Sequence, residues 1–125
     1  MISTTLWLTS DEARIFRFTP GETQKHHMKK HGEQHHGQNG ANHADSQDEG
    51  KFFGQVSEWI LKNKDDRFLI VGPGLAKTHF NTYFAKHHAP NAKQIVAVET
   101  MDKGSDGEIE DFAHRCFKKI DTFQN

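Results

Sequence analysis

At 125 residues and 14.3 kDa the chain is long enough for one domain of ordinary size and too short for two well-formed hydrophobic cores. Its formal net charge of −1 excludes bulk electrostatic steering toward nucleic acid or a membrane. A mean hydropathy of −0.83 looks too polar for a core, yet all ten Phe and both Trp lie outside one polar stretch that depresses the average. Cys116 is the single cysteine, which excludes an internal disulfide, and its place in an apolar helical stripe reads as a small buried hydrophobe. The chain has neither an apolar run near the ~18 residues of a membrane span nor a signal-peptide pattern at its N-terminus, so a cytoplasmic protein is expected.

In chain order, Leu6-Trp7-Leu8 following Thr4 and Thr5 predicts a strand, and Thr9-Ser10-Asp11-Glu12 supplies turn chemistry. Arg14 to Thr19 reads as a second strand, Pro20-Gly21 as a turn, and Glu22 to His27 as a third, polar edge strand. Phe52, Phe53, Val56, Trp59 and Ile60 then recur at helical spacing, predicting a helix from about Gly50 to Asn63. Arg67 to Val71 is a short apolar strand of the kind buried on both faces. Ala76, Phe80, Tyr83, Phe84 and His87 mark a second helix that must end before Pro90. Ile95 to Val98 is another buried strand, and Ser105 with Glu108 has capping-box spacing ahead of the stripe Ile109, Phe112, Ala113, Cys116, Phe117 and Ile120. The order βββαβαβα implies an α/β fold: one domain with a mixed sheet, antiparallel first and parallel later, covered by helices in the manner of ribonuclease H-like domains.

Between Lys25 and Asn42 the chain holds five histidines, three lysines and three glycines with almost no apolar side chain, and His43 follows. This predicts a His/Gly-rich loop at about residues 26–49, well beyond the 4 to 6 residues of an ordinary connection, and long loops of this kind are commonly functional. One reading is a metal site from His27, His31, His35 and His36, since His27 and His31, or His31 with His35 and His36, have helix-compatible spacing. Gly32, Gly37 and Gly40 argue against a stable helix there. A second reading is RNA contact, with Lys25, Lys29 and Lys30 supplying phosphate contacts and His31, Gly32, His35, His36, Gly37 and Gln38 permitting close backbone approach. A third is a solvated insertion without a ligand. Near pH 6 the histidines would add positive charge to this arm.

Other signals are weaker. Gly72-Pro73-Gly74-Leu75-Ala76-Lys77-Thr78 lies between a strand and a helix, but its spacing is too short for a phosphate-binding P-loop; Lys77 is the one candidate phosphate contact in it. A nuclease would need converging carboxylates, and the first strand carries none from Ser3 through Thr9. His114 lies two residues from Cys116 and therefore on another helical face, while His79, His87 and His88 read as surface residues of the second helix. Arg14 and Arg17 are expected to be solvated. No cofactor is expected.

The run Phe68-Leu69-Ile70-Val71-Gly72-Pro73-Gly74-Leu75-Ala76-Lys77, followed by Ile95-Val96-Ala97-Val98-Glu99-Thr100 and the Ser105-Asp106-Gly107-Glu108 helix start, resembles the second half of the middle domain of the archaeo-eukaryotic release factor and Pelota superfamily. Leu6-Trp7-Leu8 with Glu12-Ala13-Arg14-Ile15-Phe16 is similar to the opening hairpin of its small bacterial members, the translational machinery proteins. The resemblance implies a translation-associated protein that binds the ribosome or tRNA. In the family's release factors a Gly-Gly-Gln loop promotes peptidyl-tRNA hydrolysis. Here Lys30-His31-Gly32 stands in the equivalent connection, followed by Glu33-Gln34 and Gly37-Gln38, but a strict Gly-Gly-Gln is absent because His36 replaces the first glycine. Gln38 is thus the weak catalytic candidate, and a non-enzymatic binding role is expected.

Overall fold

The computed structural model describes residues 1–30 and 41–123, the side chains of 41–48 excepted. Its elements are β1 (Ser3–Leu8), β2 (Glu12–Thr19), β3 (Glu22–Lys29), α1 (Ala41–Lys62), β4 (Arg67–Gly72), α2 (Ala76–His87), β5 (Ile95–Thr100) and α3 (Asp106–Phe123), with a 3-10 turn at Ala89–Gln94. The five strands form one sheet in the order β3-β2-β1-β4-β5. β1 pairs antiparallel with β2 and β2 with β3, whereas β1 with β4 and β4 with β5 run parallel, as the element order implies.

Alternation along the central strands places an apolar layer on each face. Leu6, Leu8, Ala13, Ile15, Phe68 and Ile70 meet Phe52, Phe53, Val56 and Ile60 of α1 and Phe80 and Phe84 of α2. On the opposite face Trp7, Phe16, Leu69 and Val71 meet Ile109, Ala113 and Phe117 of α3. The sheet is therefore the middle of three layers, and Phe68 to Val71, covered on both sides, is fully buried.

Turns and caps follow the local chemistry. Thr9 closes the β1–β2 connection, its Oγ1 accepting from the amides of Asp11 and Glu12 at 3.1 Å each. Gly21 takes φ +87° at the β2–β3 turn, a left-handed conformation that suits glycine. α2 stops at His87, ahead of Pro90. The capping box of α3 is formed: the Glu108 amide donates to Ser105 Oγ at 3.2 Å, and the Ser105 amide donates to Glu108 Oε1 at 2.8 Å.

Three expectations need correction. α1 begins at Ala41 rather than about Gly50, because its first turns carry polar residues and no apolar stripe betrays them. β3 continues to Lys29, so the stretch expected as loop at 26–49 contains the end of a strand and the start of a helix. Arg14 and Arg17 are not simply solvated. Arg17 Nε donates to Asp66 Oδ2 at 2.8 Å, and Asp66 is buried and also accepts from Thr4 Oγ1 at 3.1 Å. The Arg14 guanidinium lies 5.0 Å from the Trp7 ring and donates to the Gly104 carbonyl at 2.9 Å.

Candidate functional site

β1, β3, β4 and β5 all point the same way, so Leu8, Lys29, Gly72 and Thr100 finish at one end of the sheet. In open α/β sheets the carboxyl ends of the strands are where ligands bind, because the loops there are free to vary. The described chain leaves this end at Lys30 and returns through α1, whose Glu49 lines a cavity of about 330 Å³ with Thr9, Ser10, Pro73, Gly74, Leu75, Ala76 and His79. Leu75 is exposed there, one of the few large apolar side chains so displayed. Gly72 permits this convergence: a Cβ on it would sit 2.2 Å from the Leu8 carbonyl oxygen, so no side chain fits between β1 and β4 at their exit.

The basic residues expected to touch RNA divide into three groups. Lys29 is exposed at the end of β3, and Lys30 follows, its amide donating to the Asp11 carbonyl at 2.8 Å and its Nζ 4.0 Å from Asp11 Oδ1. Lys25 is turned toward α3, with Nζ 3.3 Å from Glu110 Oε2 and 3.7 Å from Asp106 Oδ2. Lys77 is buried, its ammonium donating to the Gly74 carbonyl, where it closes the β4–α2 turn instead of facing solvent. His31, Gly32, His35, His36, Gly37 and Gln38 lie outside the described residues.

His27 departs from the metal reading. It belongs to β3, so helical spacing to His31 does not apply, and its Nε2 is 2.6 Å from Glu12 Oε2. Among the described residues no group of three His, Cys, Asp or Glu is placed to hold a metal ion. His26, on the other face of the strand, lies against Trp59 of α1 with ring centroids 4.9 Å apart. β3 is thus braced on both sides. Lys25 and His27 hold it toward α3 and toward β2, and His26 with Met28 packs it on the α1 side. Half-exposed ion pairs are worth only ~0–1 kcal/mol each, so the ladder to β2 and the packing dominate and the charges set orientation.

Sequence reasoning missed Asp66 and Gln94. Gln94 is buried, and its Nε2 donates to the carbonyls of Ile60, Asn63 and Asp66 at 3.3, 3.0 and 3.2 Å. Only tertiary contact reveals either role; a clue lay in Asp66 standing directly before an apolar strand. A larger cavity of about 490 Å³ opens at the opposite end of the sheet, but Arg67 and Asp121 in its wall are paired with each other there.

Comparison with known proteins turns on the same framework. The chain is 38% identical to the Pelota homolog of Archaeoglobus fulgidus over 71 residues, 56% of this chain and 20% of that protein. The chain is Pelota-like. Its fold matches Thermoplasma acidophilum Pelota with a TM-score of 0.65 at 20% identity, over 90% of this chain and 31% of that one. Archaeoglobus fulgidus Pelota matches with a TM-score of 0.61 at 20% identity, over 95% and 33% of the two chains. An archaeal translation termination factor matches at 0.59 and 15% identity, over 84% and 31%. No family model matches. The chain spans about a third of the length of these solved proteins and a fifth of the curated relative. The chain is a single α/β domain, and among its described residues no helix is long and apolar enough to cross a membrane.

Proposed function

We propose that this chain is a non-enzymatic, translation-associated protein of the cytoplasm that contacts the ribosome or a tRNA from the carboxyl end of its sheet, through Lys29, Lys30 and the residues that follow to His43. The observation that carries the reading is the 38% identity to Pelota in a chain whose fold also matches a translation termination factor. The strand that ends at exposed Lys29, with partly covered Lys30 after it, supports the reading, because lysines beside a glycine- and histidine-rich sequence can neutralise phosphates while the backbone comes close. Lys25 serves as a brace for β3 and Lys77 as a turn lock, so neither is needed at the contact. Such binding is carried by counterion release and weakens as salt rises.

Co-sedimentation with ribosomes at low salt tests this, comparing the native chain with one whose residues 31–40 are replaced by a Gly/Ser linker of equal length. The native chain should sediment, lose binding as salt is raised, and bind at least tenfold better than the linker variant. If neither sediments, or both do so equally, the reading fails. Peptidyl-tRNA hydrolysis that Gln38→Ala abolishes would replace it with a catalytic one.

A further inference from the structure

The two faces of β3 carry different chemistry. His26 and Met28 pack toward α1, whereas Lys25, His27 and Lys29 stand on the α3 side, about 6.7 Å apart along the strand. Arg14 lies directly opposite His27 on β2, so four basic residues share one patch of the sheet. Between this patch and the start of α3 is a cleft of about 420 Å³, whose wall holds Arg14, Lys25, His27 and Asp106. Two carboxylates of α3 reach the cations across it. Asp106 lies 3.6 Å from Arg14 Nη1 and 3.7 Å from Lys25 Nζ, and Glu110 lies 3.3 Å from Lys25 Nζ. Glu12, on β2 itself, is 2.6 Å from His27 Nε2 and 3.9 Å from Arg14 Nε.

We propose that this cleft is a second RNA-phosphate site, and that Asp106 and Glu110 occupy the phosphate's place in the free chain until RNA displaces them. The site extends the contact at Lys29 read above, and rests on that reading. Continuity selects the occupant, because the row of basic residues on β3 ends in Lys29 itself, so a backbone held there meets Arg14 and Lys25 next. The chemistry agrees: arginine and lysine bind carboxylate and phosphate oxygens through the same charge-assisted hydrogen bonds, so one anion can replace the other. Among the described residues, Asp106 and Glu110 form their ion pairs with Arg14 and Lys25 alone, and half-exposed pairs of this kind are weak. Exchange therefore leaves the ladder to β2 and the core untouched, and Glu12 with His27 keeps β3 in place. Lys25 braces β3 in the free chain and adds to RNA binding only once α3 releases it. Its contribution is hidden while the two carboxylates are present.

Binding of a single-stranded RNA of about 12 nucleotides, read by fluorescence anisotropy between about 50 and 200 mM salt, tests this without ribosomes. Asp106→Asn with Glu110→Gln should tighten binding at least fivefold. It should also steepen the salt dependence by about 1.4, since each of two freed cations adds the ~0.7 expected per phosphate of a single strand. Glu58→Gln with Asp65→Asn makes the same change in net charge on exposed residues outside the cleft, and should tighten binding less than twofold. Lys25→Gln should cost less than twofold in the native chain and several-fold once both carboxylates are neutralised, a coupling that the double-mutant cycle reads directly. In the native chain, RNA at low salt should shift the backbone NMR signals of Lys25, His27 and Asp106, which needs no variant to fold. A gain no larger than the control's overturns the proposal. So does an equal cost of Lys25→Gln in both backgrounds, or native-chain shifts confined to Lys29 and the residues after it. Ribosome co-sedimentation that fails while these differences hold overturns the ribosome reading and supports the cleft.

Discussion

Gln94 shows how one side chain can hold a junction that no local pattern announces. Its amide sits among three carbonyls, two from the C-terminal turn of α1 and its exit and one from Asp66, while its oxygen accepts from Asn91 at 3.1 Å. The last carbonyls of a helix lack intrahelical donors, and Gln94 supplies one from a segment far along the chain. Replacing it with leucine removes the donor to the Asp66 carbonyl, while the Ile60 and Asn63 carbonyls keep those from the Asn63 and Asp66 amides. Gln94→Leu should therefore destabilise the protein by about 1–2 kcal/mol in urea unfolding, with the sheet otherwise intact. Cys116 is simpler: expected as a buried small hydrophobe, it is only partly buried in its stripe, and burial, followed by the Glu99 charge, pushes its thiol pKa upward. It should thus remain a protonated, slowly alkylated thiol at neutral pH.

Elements with their own periodicity or stop signals were legible in advance, and elements defined by partners were not. α3 declared itself through Ser105 and Glu108 and through an apolar stripe that now packs on Trp7, Leu69 and Val71. Ser105→Ala should cost about 1 kcal/mol, visible as a lower midpoint in thermal or urea unfolding, because it removes one half of a reciprocal pair. The first turns of α1 offered no such signal, and neither did the 3-10 turn at Ala89–Gln94, where Pro90 was readable only as the end of α2. For the candidate site the position was legible and the assignments were not. The carboxyl end of the sheet follows from strand order, but whether a lysine faces solvent or a neighbouring carboxylate depends on α3, some eighty residues away from Lys25.

At the scale of the molecule, two of the three layers, the sheet and α3, are joined at the amino end of the sheet by a single residue. Arg67, at the start of β4, donates to Ser3 Oγ at 2.7 Å at the start of β1 and to both carboxylate oxygens of Asp121 in α3, with its guanidinium 4.7 Å from the Phe117 ring. The bond from Arg67 holds the Asp121 pKa below the ordinary carboxylate range. A depressed carboxylate pKa contributes stability that is present above the unfolded value and lost as pH falls through the folded one. Asp121→Asn should therefore lower stability slightly at neutral pH and converge with the native chain below about pH 4, flattening the acid limb, as pH-resolved urea unfolding would record.

That one arginine touches both the opening strand and the closing helix has a consequence for how the unit can be carried. Ser3 and Asp121 are brought side by side at the end of the sheet opposite Lys29 and Gly72. Anything attached before the one or after the other approaches from behind, like the two strings of a pendant. The domain can be tethered at both ends at once, to a surface, a label or a larger polypeptide, and still present its carboxyl face unobstructed.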